Sequence, residues 1–104
     1  MSDSKKDVLR ETDDEARTLA RKLVRAARYA SIAVLDAETG HPSASRVLTG
    51  TDVDGVPVIL ISALAPHMAA LRAAPRASLL FGEVGKGDPL AHARITVQCR
   101  ASEV

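Results

Sequence analysis

Hydrophobic positions recur along this chain with two different periods, and the changes of period divide it into elements. From Ala16, the residues Leu19, Ala20, Leu23, Val24 and Ala27 return at helical spacing and predict an amphipathic helix to about Tyr29. Thr12-Asp13-Asp14-Glu15 reads as a capping box at its start, with the Thr12 hydroxyl accepting an orphan N–H and Glu15 reaching back to the cap. Residues 1–11 are polar and are expected to form a flexible N-terminus ahead of one domain over residues 12–104.

Beyond the helix the pattern shortens. Ser31 to Leu35 is an apolar run ended by the turn residues Asp36 to Pro42, and Ser43 to Thr49 predicts a second strand. A polar loop from Gly50 to Gly55 leads to Val56–Ser62, whose near-continuous hydrophobicity predicts a third strand buried on both faces. The connections are too short for crossover helices, so these three strands read as an antiparallel meander. Pro66 to Ala73 predicts a helix of about two turns, opened by a proline tolerated in the first turn and closed before Pro75. Arg76 to Phe81 is a fourth strand, and Gly82 to His92 is a loop. Ala93 to Glu103 then alternates Ile95, Val97, Cys99 and Ala101 with polar residues as a half-buried fifth strand. The fold class is therefore α+β, mostly β, on an antiparallel sheet.

Composition narrows the class of function. At 104 residues, 46% hydrophobic and 26% charged, the chain suits one globular core. Its apolar runs fall far short of the about 20 residues that span a bilayer. No apolar stretch follows the N-terminal lysines as a secretory signal would require, so the cytoplasm is the expected compartment. The net charge of +1 gives no global field for nucleic acid. Arg17, Arg21, Lys22, Arg25 and Arg28 do crowd one helical face, but no aromatic residues interleave for base stacking, and a solvated face is the favoured reading. The single cysteine, Cys99, reads as a small half-buried thiol.

Most catalytic patterns are missing. There is no G-x-S-x-G elbow, and the serines and histidines follow no triad order. His41, His67 and His92 are widely spaced, with no H-x-x-x-H or C-x-x-C pair, so no metal site is expected. The loop Gly82-Glu83-Val84-Gly85-Lys86-Gly87-Asp88-Pro89 lacks the Ser/Thr of a phosphate loop, and Pro89 obstructs continuation into a helix.

Several short motifs nevertheless stand in a specific order: Ala27-Arg28-Tyr29-Ala30-Ser31, Gly40-His41-Pro42, Ala44-Ser45-Arg46-Val47, Ser62 to Leu71, Ser78-Leu79-Leu80-Phe81-Gly82 and Gly85-Lys86-Gly87-Asp88-Pro89-Leu90. Together they resemble the haem-utilisation branch of the pyridoxamine 5'-phosphate oxidase family, from about Ala16 through Val104. The resemblance implies an antiparallel split β-barrel of FMN-binding type, with an N-terminal helix and a short helix between strands three and four. It also implies a homodimer with flavin at the interface. Family members continue into further elements, so a chain shortened at its C-terminus is expected, with a sheet edge left to be covered.

The resemblance places the flavin phosphate near the second and third strands and the start of the inserted helix. Arg46 would supply a bidentate fork, Ser62 a hydroxyl, and the helix start at His67 backbone N–H groups and a favourable dipole. The backbone around Arg46 and Val47 would lie against the flavin ring. Where the family has H-T-x-N, this chain has His67-Met68-Ala69-Ala70, replacing a hydroxyl and an amide by apolar groups. Each lost hydrogen bond to a charged group is worth about 1.5–3 kcal/mol, so weakened FMN binding is expected. Two readings stay open. One is an FMN-dependent oxidoreductase with unassigned catalytic residues, and the other is a non-catalytic split-barrel module, handling haem or binding protein, that has lost flavin.

Overall fold

Two aspartates close the hairpins from which the sheet grows. In the computed structural model, which describes residues 2–104 and the side chains of residues 13–104, strand β1 spans Tyr29–Leu35 and β2 spans Pro42–Thr51. Between them the Asp36 carboxylate accepts hydrogen bonds from the Glu38 and Thr39 N–H groups, both at 2.9 Å, and from the Thr39 hydroxyl at 3.2 Å. These bonds hold the Asp36 carboxyl below the usual carboxylate range, the Thr39 N–H contributing most. After β2, the Asp52 carboxylate accepts from the Asp54 and Val56 N–H groups at 2.8 and 3.0 Å and returns the chain into β3, Pro57–Leu60. Such side-chain turns substitute for backbone pairing where the chain must reverse.

From β3 the chain crosses through helix α2, Pro66–Ala73, to β4, Arg76–Phe81, and a short 3₁₀ turn at Pro89–Ala91 precedes β5, Ile95–Arg100. The five strands are antiparallel in the order β3-β2-β1-β4-β5. The meander is as expected, and α2 carries the chain from one edge of the sheet to the far side of β1. The sheet is the curled half-barrel of a split-barrel fold, with β3 and β5 as its two edges.

Alternation along β1 puts Ala30, Ile32 and Val34 on the inner face, where they meet Val47, Leu79 and Phe81 and are roofed by Ala70 and Leu71 of α2. Phe81 and Ile32 are fully enclosed. Each such side chain contributes about 1.5–3 kcal/mol by leaving water. Helix α1, Ser2–Ala26, adds Val24, and its end is tied to β2 where the Thr49 N–H donates to the Arg28 carbonyl at 3.0 Å.

Two expectations are corrected. The helix is continuous from Ser2, so Thr12–Glu15 lie inside it rather than capping its start. No glycine or proline interrupts residues 2–26, and Lys, Leu, Arg and Glu before Thr12 all favour helix. Within it the Thr18 hydroxyl bonds back to the Asp14 carbonyl at 3.0 Å. The third strand is not buried on both faces: Ile59 packs inward, but Val58 and Leu60 point outward and are exposed. Among the described residues, helix side chains pack on the inner face of the sheet.

Candidate functional site

Arg46 projects from the outer face of β2. The register sets it beside Ser31 of β1, and its guanidinium carbon lies 5.1 Å from the centroid of the Tyr29 ring, two residues earlier on the same face of β1. No carboxylate oxygen lies within 4.0 Å of Arg46 among the described residues, where the ion pairs are Arg28–Glu83 at 4.0 Å and Arg72–Glu103 at 2.8 Å. A cation supported by an aromatic ring and unpaired by any acid keeps its fork of N–H donors for an anion from outside.

The edge of the sheet opens beside it. β3 pairs with β2 only from Leu48 to Thr51, ending at the Leu48–Leu60 pair, so β2 from Pro42 to Val47 has no strand on that side. Ser62 lies two residues beyond the last pair, where the chain has left the ladder. There the Ser62 hydroxyl accepts from the Leu64 N–H at 3.3 Å and its carbonyl accepts from the Ala65 N–H at 3.0 Å. The turn fixes the Ser62 side chain while its own O–H proton stays free to donate.

Three residues further on, α2 begins with Ala65 as N-cap and Pro66 in its first turn, and no side chain caps it. His67, half-buried, stands in that first turn. Pro66 has no N–H and the Met68 N–H already donates to the Ala65 carbonyl at 3.0 Å, so this helix start offers the His67 N–H and the positive end of the helix dipole. Arg46 stands on the outer face of the sheet, whereas α2, which carries His67, packs on the inner face through Ala70 and Leu71. Val47 differs, because its side chain is 4% exposed within the core and a ligand could meet it only through its backbone.

The two substitutions expected to weaken a phosphate site occupy unlike places. Ala70 is 1% exposed, packed on the sheet, so its position faces the core rather than a surface anion. Met68 is half-buried and lines a cleft of about 690 Å³ with Ile59, Ile61, Leu71 and the chain end Ala101–Val104. The penalty expected from losing an amide at position 70 does not apply to this geometry.

The glycine loop is explained by its own packing. Gly82 has φ of +128°, and a Cβ there would stand 2.4 Å from the Ala93 carbonyl oxygen. Gly85 lies against the His92 ring, whose Nε2 is 2.9 Å from the Lys86 carbonyl. The Asp88 carboxylate accepts from the Leu90 N–H at 2.9 Å, and Arg94 donates to the Leu90 and His92 carbonyls at 3.2 and 3.3 Å. These bonds tie the loop to itself rather than leaving a cradle for phosphate.

Cys99 is half-buried, its thiol within 3.5 Å of the Ala77 carbonyl and pushed up in pKa by burial. No group of His, Cys, Asp or Glu that could hold a metal is present among the described residues. No described helix is long and apolar enough to cross a membrane. Sequence reasoning missed Tyr29. Its only signal was its place in the run Ala27-Arg28-Tyr29-Ala30-Ser31, because the ring reaches Arg46 only through a strand register.

No curated protein matches the chain. Among solved structures, one that is 51% identical covers 84% of this chain and 59% of its own length, with a TM-score of 0.80. A protein of unknown function from Agrobacterium tumefaciens is 31% identical, covering 83% and 37%, with a TM-score of 0.76. A haem-binding protein from Mycobacterium smegmatis is 34% identical, covering 78% and 33%, with a TM-score of 0.69. HutZ, the haem storage protein of Vibrio cholerae, is 25% identical, covering 84% and 61%, with a TM-score of 0.68. The chain thus spans between 33% and 61% of the length of these structures. The family model for pyridoxamine 5'-phosphate oxidase matches residues 16–104, which takes in all five strands, α2 and the Arg46 edge. By that match and this half-barrel, the chain belongs to the pyridoxamine 5'-phosphate oxidase family.

Proposed function

We propose that the protein binds FMN as a homodimeric flavoprotein of oxidoreductase type, with residues 12–104 as the flavin-binding unit. The observation that supports this is the Arg46 guanidinium on the outer face of the sheet, stacked on the Tyr29 ring and paired with no acid among the described residues, while Ser62 and the start of α2 follow the end of β3, the strand paired with β2. A phosphate dianion asks for such a set: a planar cationic fork, a hydroxyl and a helix N-terminus. Arg46 would bind two phosphate oxygens, Ser62 would donate its O–H, and the His67 N–H at the start of α2 would add a backbone donor. The backbone at Arg46 and Val47 would border the isoalloxazine.

Bound flavin would supply the electron-transfer chemistry. The chain's own part is to fix the phosphate and to shield one side of the site through the apolar outer face of the sheet. Leu35, Leu48, Val58, Leu60 and Leu80 are all exposed on that face, and a second copy would cover them.

A second reading is favoured by the two structural neighbours named for haem: a non-catalytic module that handles haem. His41, His67 and His92 are the residues that could offer a ring nitrogen to haem iron, and His92 would do so through Nδ1, its Nε2 being held at the Lys86 carbonyl. Absorption spectra of the purified protein, with FMN and haemin each added in excess, distinguish the readings. Retained flavin bands and a rise in Tm with FMN support the first. A Soret band that survives desalting, with no FMN effect on Tm, supports the second.

A further inference from the structure

We propose that Tyr29 is a positioning residue for Arg46: its ring holds the guanidinium over the β1–β2 ladder on the outer face of the sheet, in the place where an anionic phosphate is received. This rests on the reading that Arg46 binds the FMN phosphate. Arg46 is an exposed side chain on a strand, and nothing in its backbone position selects one of its many rotamers. What selects one is the ring, 5.1 Å from the guanidinium carbon and reached diagonally across the β1–β2 ladder. The pairing depends on register, since Tyr29 and Ser31 share a face and Ser31 stands directly opposite Arg46. A one-residue slip would send the ring into the core. With no carboxylate within 4.0 Å among the described residues, the ring face is the support found for this cation. A ring satisfies the guanidinium through its face while consuming no N–H donor, so the fork reaches the ligand intact. An acidic partner would have taken those donors.

FMN titrations of wild type, Tyr29→Phe, Tyr29→Leu, Arg46→Ala and the Tyr29→Leu/Arg46→Ala double variant test this role. Tyr29→Phe keeps the ring and is expected to bind as wild type does. Tyr29→Leu is expected to bind about two- to fivefold more weakly, and to have no further effect once Arg46 is alanine. Tyr29 is also the chain's one tyrosine, in a protein without tryptophan, so its emission reports on this contact without mutation of the ring. Inorganic phosphate should change that emission saturably in wild type and not in Arg46→Ala.

A wild type that binds FMN through Arg46 but is indifferent to Tyr29→Leu overturns the role of Tyr29 alone. So does an equal loss from Tyr29→Leu in the Arg46→Ala background, or a Tyr29→Phe variant as weak as Tyr29→Leu, which would make the phenol oxygen the contact. A Tyr29 emission unmoved by phosphate also counts against it. A wild type that takes up neither FMN nor phosphate overturns the flavin reading, and this role with it.

Discussion

Leu48 and Leu60 stand opposite each other in the β2–β3 ladder and remain 61% and 74% exposed, at the edge where β3 ends. An isolated exposed leucine is ordinary, but this pair is continuous with Val58 and lies on the same outer face as Leu80 and Arg46. If a second copy covers the face, Leu60→Lys places a charge within the interface. The expected outcome is a dimer dissociation constant raised on the order of 30-fold or more, read as a fall to monomer mass by light scattering. An unchanged mass would show that another surface joins the copies.

Gly82 is held by geometry that no side chain can share. Its φ of +128° and the approach of the Ala93 carbonyl, 2.4 Å from where a Cβ would sit, make Gly82→Ala costly in the backbone itself. The loss should be about 2–4 kcal/mol, measured as a lowered denaturation midpoint. Gly87, also at positive φ but with open space around its Cβ position, should lose less on the same change.

Asp36 should contribute to the acid limb of stability. Its carboxyl is held below its ordinary value by the Thr39 N–H, then the Glu38 N–H, then the Thr39 hydroxyl. A depressed folded value means that the charged form is favoured by folding, so this contribution is present above the unfolded carboxylate pKa and is lost as pH falls through the folded one. Asp36→Asn should therefore lower stability near neutral pH and flatten its decline in acid. An Asn variant whose acid limb parallels that of wild type would contradict this assignment.

Cys99 should be slow. Its half-buried thiol is raised in pKa by burial, which lowers the thiolate fraction at any pH below that value. Its reaction with a thiol reagent should be several-fold slower in folded protein than in urea-unfolded protein at the same pH. Equal rates would place the thiol in open solvent.

The strands and α2 were legible because their side chains alternate or recur with few exceptions. Pro66–Ala73 and Arg76–Phe81 have the bounds their sequence predicts. The third strand misled because Val58 and Leu60 are as apolar as Ile59, and composition alone cannot say whether a helix or another molecule covers a face. The start of α1 was obscured by Thr12–Glu15, which carry cap chemistry inside an uninterrupted helix. For the candidate site, the ordered motifs point to Arg46, Ser62 and His67 as expectations, whereas the Tyr29 contact exists only once β1 and β2 are in register. Ala70 showed the reverse: a substitution that looked like a lost ligand is a core contact.

The most direct test of the account is to compare FMN with riboflavin, which lacks the phosphate, by calorimetric titration of wild type and Arg46→Ala. Wild type should prefer FMN, and Arg46→Ala should lose affinity for FMN on the order of 10- to 10²-fold, the scale of one hydrogen-bonded charge contact, while riboflavin binding hardly changes. Equal losses for both ligands, or FMN binding untouched by the substitution, would contradict Arg46 as the phosphate anchor.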